Sequence, residues 1–282
     1  MTIRLRQARA RGSGSLPPVG VAMTWGKLWI GLAVAALVVF GIPAAVMAAT
    51  FLGNAPLVDG RALPGGAVTI VDGYVSMYLI PTGDGRYLLI DAGNDPEAAA
   101  IDRALASRSA TRADVAAIAL THGHGDHTAA CAAFPSATVY ALDKEGPVLR
   151  GEAGTRGPLP RLFGAQAAPC AAAITYVADG AAVPVGPLVA RVFATPGHTV
   201  GSATWLVNGV LFFGDEASAT SDGAVTPAPW VFSDDQGQAT DALVGLVDRL
   251  DAEHLTVEAL AFAHTGPLTS MAPLATFAQH HR

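Results

Sequence analysis

Beyond residue 66 the chain alternates short β-rich apolar runs, turn residues and a few stretches of helical period. Ala67–Val71, Tyr74–Ile80 and Tyr87–Ile90 are predicted strands, the last two joined by Thr82-Gly83-Asp84-Gly85, a hairpin turn with glycine available for positive φ. Residues 96–107 read as a helix, with Ile101 and Leu105 one turn apart. Val115–Leu120 is a short buried strand ending at Thr121-His122. A helix from His127 to Phe134 and a strand at Thr138–Ala141 follow. Residues 143–173 lose any period, and a long excursion of this kind suggests a functional loop. Strands resume at Ile174–Val177, Leu188–Phe193, Ser202–Val207 and Val210–Gly214, the last pair flanking the hairpin signal Asn208-Gly209. A second irregular stretch, 217–236, precedes a helix over 238–250, a strand at Val257–Ala263 and a terminal helix through Leu274 and Phe277. With hairpins in both halves, the pattern predicts an α+β domain whose sheets are largely antiparallel and covered by helices.

Upstream the pattern changes. Leu28–Leu52 is uncharged over 25 residues, about 37 Å as a helix, which suffices to cross a hydrocarbon core of roughly 30 Å. Residues 1–27 carry Arg4, Arg6, Arg9, Arg11 and Lys27 with no acid, so the basic end is expected in the cytoplasm and the body exported, periplasmic or extracytoplasmic. Val46-Met47-Ala48-Ala49 resembles a cleavage site, and cleavage would make the product secreted; the long basic segment and long apolar run favour an uncleaved anchor. The expected organisation is a basic segment 1–27, an anchor or signal helix 28–52, a linker 53–66 rich in Gly and Pro, and a folded domain 67–282.

The net charge of -6 becomes −11 once the +5 of residues 1–27 is removed (−6 minus 5), and lysine occurs only at Lys27 and Lys144. An acidic body of this kind excludes a phosphate-tracking nucleic-acid binder; the expected partners are a small-molecule substrate and, through residues 28–52, a membrane. Cys131 and Cys170 have neither CxxC spacing nor a deducible separation, so their pairing stays open.

The chemistry concentrates in His122-Gly-His124-Gly-Asp126-His127, four metal-ligand side chains within six residues. Imidazoles and a carboxylate suit zinc or another borderline divalent ion. Three further candidates close predicted strands: His198 in Thr195-Pro196-Gly197-His198-Thr199, Asp215 in Phe213-Gly214-Asp215, and His264 in Ala263-His264-Thr265-Gly266. Together they supply five His and two Asp, enough for two metals. His254 reads as a helix C-terminal cation, and His280 and His281 as a solvated tail.

The His-x-His-x-Asp-His string, Pro196–Ser202, the Gly-Asp pair and the late His-Thr-Gly resemble, in order and spacing over 67–270, the metallo-β-lactamase-fold hydrolases. The resemblance implies a four-layer αβ/βα sandwich of two mixed sheets with the metals at one edge. It implies that His122, His124 and His198 hold one metal, that Asp126, His127 and His264 hold the second, and that Asp215 bridges them. The metals would be two zinc ions, with iron or manganese as alternatives. Asp91, in Ile-Asp-Ala-Gly, resembles the aspartate that orients a ligand histidine from behind. The implied reaction is hydrolysis of an ester, thioester or lactone by a hydroxide shared between the metals, with Asp126 passing the proton. Relatives that cleave β-lactams generally lack the bridging aspartate, so Asp215 points towards the glyoxalase II and lactonase-like members. Only 18 residues follow His264, so the glutathione-holding C-terminal helical domain of glyoxalase II is not expected. Thr128-Ala129-Ala130 departs from the usual Gly-Gly segment. Phe163, Trp230 and Phe232 are the expected pocket walls. Two other readings remain: an iron-dependent, persulfide dioxygenase-like oxidoreductase, and a membrane-tethered metal-binding module without catalysis.

Overall fold

The computed structural model describes residues 25–154, 157–158, 161 and 173–282; most of the basic segment, Phe163 and Cys170 lie outside the described residues. The chain divides into two compact units, residues 1–51 and 52–282.

In the first unit, α1 (Trp25–Ala36) and α2 (Ile42–Phe51) are joined by a π-helical turn, Leu37–Gly41. Pro43 explains the turn: it has no N–H to give, so the ladder is interrupted one turn upstream of it. Trp29–Phe51 forms 23 residues long and apolar enough to cross a membrane. Trp29, Leu32, Val39 and Phe40 are exposed, unlike the side chains of a core helix.

The second unit is built on two mixed sheets. The first has the order β1 (Val68–Asp72), β2 (Val75–Pro81), β3 (Tyr87–Ile90), β4 (Val115–Ala119), β5 (Thr138–Leu142), β6 (Ile174–Val177). The second has β13 (Ala259–Phe262), β10 (Val210–Phe213), β9 (Ala203–Val207), β8 (Leu188–Ala194), β7 (Ala182–Val185). A small hairpin, β11 (Ala217–Ala219) with β12 (Val225–Pro227), occupies the second irregular stretch. The expectation of largely antiparallel sheets fails in the first one, where β3, β4, β5 and β6 run parallel. Their connections are long enough to carry helices or helical turns back across the sheet, which is what parallel pairing needs.

Most strands read as continuous apolar runs because both faces are covered. Leu88 and Ile90 face the layer between the sheets, against Trp205 and Phe212, while Leu89 faces outward with Ile101 and Leu105 of α3 (Ala99–Ala106). Across the other sheet, Leu211 and Phe213 point outward to Leu243 and Leu246 of α6 (Gln236–Ala252) and Phe277 of α7 (Ala272–His281). This gives the four layers.

The helix predicted over 127–134 is instead one turn, α4 (Gly125–Thr128), and a 3-10 turn at Cys131–Ala133. The Asp91-Ala92-Gly93 segment takes the backbone groups a helix would use: Ala92 N–H donates to the His127 carbonyl, and Ala130 N–H to the Ala92 carbonyl. Residues 54–63 are fastened to the domain rather than free of it. Ala55 N–H donates to Ala219, Gly266 N–H to Ala55, and Ala62 bridges to Val68.

Candidate metal centre

One edge of the sandwich collects the strand ends. β8 and β9 are antiparallel, β9 and β10 antiparallel, and β10 and β13 parallel, so β8, β10 and β13 all finish on the same side. His198, Asp215 and His264 follow those three ends. The first sheet meets that edge through Ala203 N–H to the Thr121 carbonyl (2.9 Å) and Trp205 Nε1–H to the Leu120 carbonyl (2.9 Å). His122 therefore leaves β4 beside the others. Ser76 N–H to the Ala263 carbonyl (2.7 Å) and Tyr78 Oη–H to the Phe262 carbonyl (2.6 Å) pin the end of β13.

The seven residues singled out in the sequence lie in two adjoining groups. His122, His124, His198 and Asp215 form one, and Asp126, His127 and His264 the other, with the donor atoms of each group mutually within 4.8 Å. His122 Nε2 and His198 Nε2 each lie 2.9 Å from His124 Nδ1. Asp215 stands between the groups: Oδ2 is 3.4 Å from His198 Nε2, while Oδ1 is 3.2 Å from His127 Nε2 and 3.0 Å from His264 Nε2. Asp126 is looser and partly exposed, its oxygens 3.9 Å from His127 Nε2 and 3.6 Å from His264 Nε2.

The hydrogen-bond network fixes which ring nitrogens face this space. Thr121 Oγ1 gives its only proton to Asp91 Oδ2 (2.8 Å), so at 3.1 Å from His122 Nδ1 it accepts. Ser233 Oγ gives its proton to the Pro229 carbonyl (2.8 Å), so it accepts from His198 Nδ1 (3.2 Å). Asp91 Oδ2 accepts from His127 Nδ1 (2.8 Å), and the Tyr74 carbonyl accepts from His264 Nδ1 (2.9 Å). Four histidines thus spend their Nδ1 protons outward. Their Nε2 atoms converge with His124 Nδ1.

Burial holds His122 well below its ordinary range and His198 down at about 3, against the opposing pull of Asp215; His124 is lowered as well, again by burial first. A neutral His124 can donate from Nδ1 to only one of the two Nε2 atoms 2.9 Å away, so the other contact has no proton to share, and a cation among the three rings resolves it. The second group is poised differently. Burial alone would lower His127 and His264, but Asp215 and Asp126 raise both, and Asp91 adds to the rise at His127. Burial alone would raise Asp215, yet His264, His127 and His198 hold it well below the usual carboxylate range. His127 Nε2 and Asp215 Oδ1 are buried without an aligned hydrogen-bond partner. The donor set therefore fits divalent metals.

Behind the donors stand Asp91, singled out in the sequence, and supports with no sequence signal of their own. Asp91, with Thr121 N–H on Oδ1 at 2.7 Å, adopts φ 58, a left-handed conformation costly for a side-chain-bearing residue. Glu145, Ser233 and the Tyr74 carbonyl were not foreseen. Of the expected pocket walls, Trp230 is exposed and Phe232 half-buried; Tyr74, also exposed, stacks on His264 with centroids 5.8 Å apart.

The profile of the Metallo-beta-lactamase superfamily matches residues 70–264, which include every one of these side chains. The chain belongs to that superfamily of metal-dependent hydrolases. This superfamily member is 34% identical over 105 residues to a hydroxyacylglutathione hydrolase of Acidiphilium cryptum strain JF-5, 37% of its own length and 33% of the relative's. It thus spans about a third of the curated relative. A solved B3 metallo-beta-lactamase described as having an active-site glutamic acid is similar at TM-score 0.60 and 23% identity, covering 85% of this chain and 92% of that one. The subclass B3 metallo-beta-lactamase of Bradyrhizobium japonicum follows the same fold at TM-score 0.56 and 20% identity, over 81% and 92% of the two chains. These structural likenesses establish the shared fold.

Proposed function

We propose that this superfamily member is a dinuclear metallo-hydrolase, with zinc as the native metal, that cleaves an ester, thioester or lactone. His122, His124 and His198 would hold one ion, Asp126, His127 and His264 the other, and Asp215 would serve both. The observation that carries the reading is Asp215, whose two oxygens face the two histidine groups separately. Seven donors in two groups also favour two ions over the single iron of a persulfide dioxygenase. When bound, the metals supply Lewis acidity towards a carbonyl oxygen and lower the pKa of water.

The chain's own groups do the rest. Asp126 is the carboxylate that borders solvent, placed to take a proton from the attacking water and return it to the leaving group. Asp91, Thr121, Ser233 and the Tyr74 carbonyl hold the imidazoles in the tautomers that present lone pairs inward. Tyr74 and Trp230 would wall the substrate. The likeness to lactamases extends to the fold, whereas the resemblance carried by Asp215 points away from β-lactams. We place the domain outside the cytoplasmic membrane, held by the 28–52 helix, on its apolar length and the upstream arginines.

The test uses the full chain in detergent, with bound metals quantified and turnover measured across esters, thioesters, lactones and lactams, beside Asp126→Ala. The expected result is close to two metals, mainly zinc, with hydrolysis abolished in the variant. One iron per chain with oxygen-dependent turnover, or unchanged hydrolysis in Asp126→Ala, refutes the mechanism; tight metal binding with no turnover supports a non-catalytic module.

A further inference from the structure

We infer that Glu145 is a positioning residue that sets the spacing of the two loops carrying His122, His124 and His198, and so governs metal binding at that group; this rests on the proposed dinuclear centre. Glu145 ends the 3-10 turn Asp143–Glu145 after β5, just before α5 (Gly146–Leu149), and is 1% exposed. Its two oxygens take different loops. Oε1 accepts from Gly123 N–H at 2.8 Å, between His122 and His124. Oε2 accepts from Thr199 Oγ1–H at 2.8 Å and Gly201 N–H at 2.9 Å, one and three residues after His198.

The turn presses directly on both loops. A Cβ at Gly201 would lie 2.2 Å from Glu145 N, and one at Gly123 would lie 2.9 Å from Val148 Cγ1 and 3.2 Å from Glu145 Oε1. No side chain acts as a spacer, so the position of the carboxylate passes straight into the separation of the ligand loops. The Thr199 loop is itself stiffened by Ser202 Oγ, which accepts from Thr199 N–H at 3.0 Å.

Stability does not account for this carboxylate. Among the described residues no Lys or Arg forms an ion pair with it, and a buried carboxylate without a cation is a poor stabiliser. Burial pushes its carboxyl up to about 7. What the carboxylate provides, and an amide or an apolar group does not, is two acceptor oxygens aimed at two loops. In Glu145→Gln the side-chain volume is kept, but the NH2 must face either Gly123 N–H or Gly201 N–H. One loop is then released.

The experiment strips metal from the full chain in detergent and titrates Zn2+ against a chromophoric chelator, with Co2+ absorption reporting ligand geometry. Wild type is expected to bind two ions. Glu145→Gln is expected to weaken one of them by about 10–100-fold and leave the other in place, as losses of supporting hydrogen bonds behind a metal do. In a His264→Ala background, which cripples the second group, Glu145→Gln should weaken the ion that remains. Thr199→Val removes one donor, keeps the carboxylate and should give a smaller loss in the same ion; it carries the test where Glu145→Gln does not fold. Unchanged affinity in the folded variants overturns the inference, as does equal weakening of both ions with a fall in Tm, the sign of general loosening. A wild type that binds no metal overturns the dinuclear reading, and this inference with it.

Discussion

Replacing Asp91 by Asn acts on His127 of the second donor group directly and on His122 of the first through Thr121. Asp91 is buried at 2% exposure and accepts three hydrogen bonds, from Thr121 N–H at 2.7 Å and from Thr121 Oγ1 and His127 Nδ1 at 2.8 Å each. Asn keeps the shape and tolerates the φ of 58 that Ala would resist. It keeps only one acceptor oxygen, however. With that oxygen on Thr121 N–H, the amide NH2 faces His127 Nδ1, which must become an acceptor. The imidazole proton then moves to Nε2, the atom 3.2 Å from Asp215 Oδ1. A metal bound there must displace that proton and loses a fixed ring. Losses of this kind weaken metal affinity by about 10–100-fold, or about 1.4–2.7 kcal/mol. The metal-free protein also loses a charge-assisted hydrogen bond, worth about 1.5–3 kcal/mol. Zinc competition titrations should show the ion at the second group weakened more than the other, and nitrogen-15 NMR of the metal-free protein, at a pH where His127 is neutral, should show its proton moved to Nε2. Unaltered affinity for both ions, or His127 still protonated at Nδ1 alone, would refute the tautomer argument.

Two further outcomes follow from the same groups. In the metal-free protein, burial lifts Glu145 to about 7 and Glu216 to about 8 from an ordinary 4.5. A carboxyl with a raised folded pKa binds more protons folded than unfolded, so its contribution falls as pH rises towards the folded value. His127 and His264, also raised, contribute below about 6.5 and lose that contribution as pH rises through their folded values. His122 and His198, depressed, oppose this only below about 6.5. Chelator-treated protein should therefore lose on the order of 2 kcal/mol between pH 6.5 and 8, read by urea unfolding; a flat or rising profile contradicts the assignment. Trp205→Phe keeps a ring in the core but leaves the Leu120 carbonyl without its 2.9 Å donor. The expected cost is about 1–3 kcal/mol, and a change below about 0.5 kcal/mol in the same assay would show that this tie between the sheets is dispensable.

The strands were legible because sheet burial writes itself as runs of apolar residues. Ile174–Val177 and Tyr87–Ile90 coincide with their predicted limits, and α6 buries the predicted Leu243, Leu246, Val247 and Leu250. What the pattern hid is what depends on distant partners. β7 was missed because Ala182–Val185 contains Pro184 and alternates exposed with buried positions. β11 and β12 are three residues each, shorter than any periodicity can register. The parallel half of the first sheet is decided by crossover connections, and a strand's own residues do not record the direction of its neighbour.

At the site, the donors were legible and their supports were not, and the division has a physical cause. A metal demands particular atoms within a few ångströms, so His122, His124, Asp126 and His127 crowd into one string, and His198, Asp215 and His264 each sit at a strand end. A supporting group needs only to supply an acceptor at the right place, and many residues, or a backbone carbonyl, meet that need. The Tyr74 carbonyl serves His264, Ser233 serves His198, and Glu145 reaches loops 22 and 56 residues away. Asp91 is the exception, visible because it sits in a recognisable strand-end segment, and even there its partner, His127, could be named only from the fold. Sequence motifs therefore locate this centre well and describe its tuning poorly. Variants at Asp91 and Glu145 weight the two groups differently, because Glu145 reaches only the loops of the first while Asp91 holds His127 directly and His122 through Thr121.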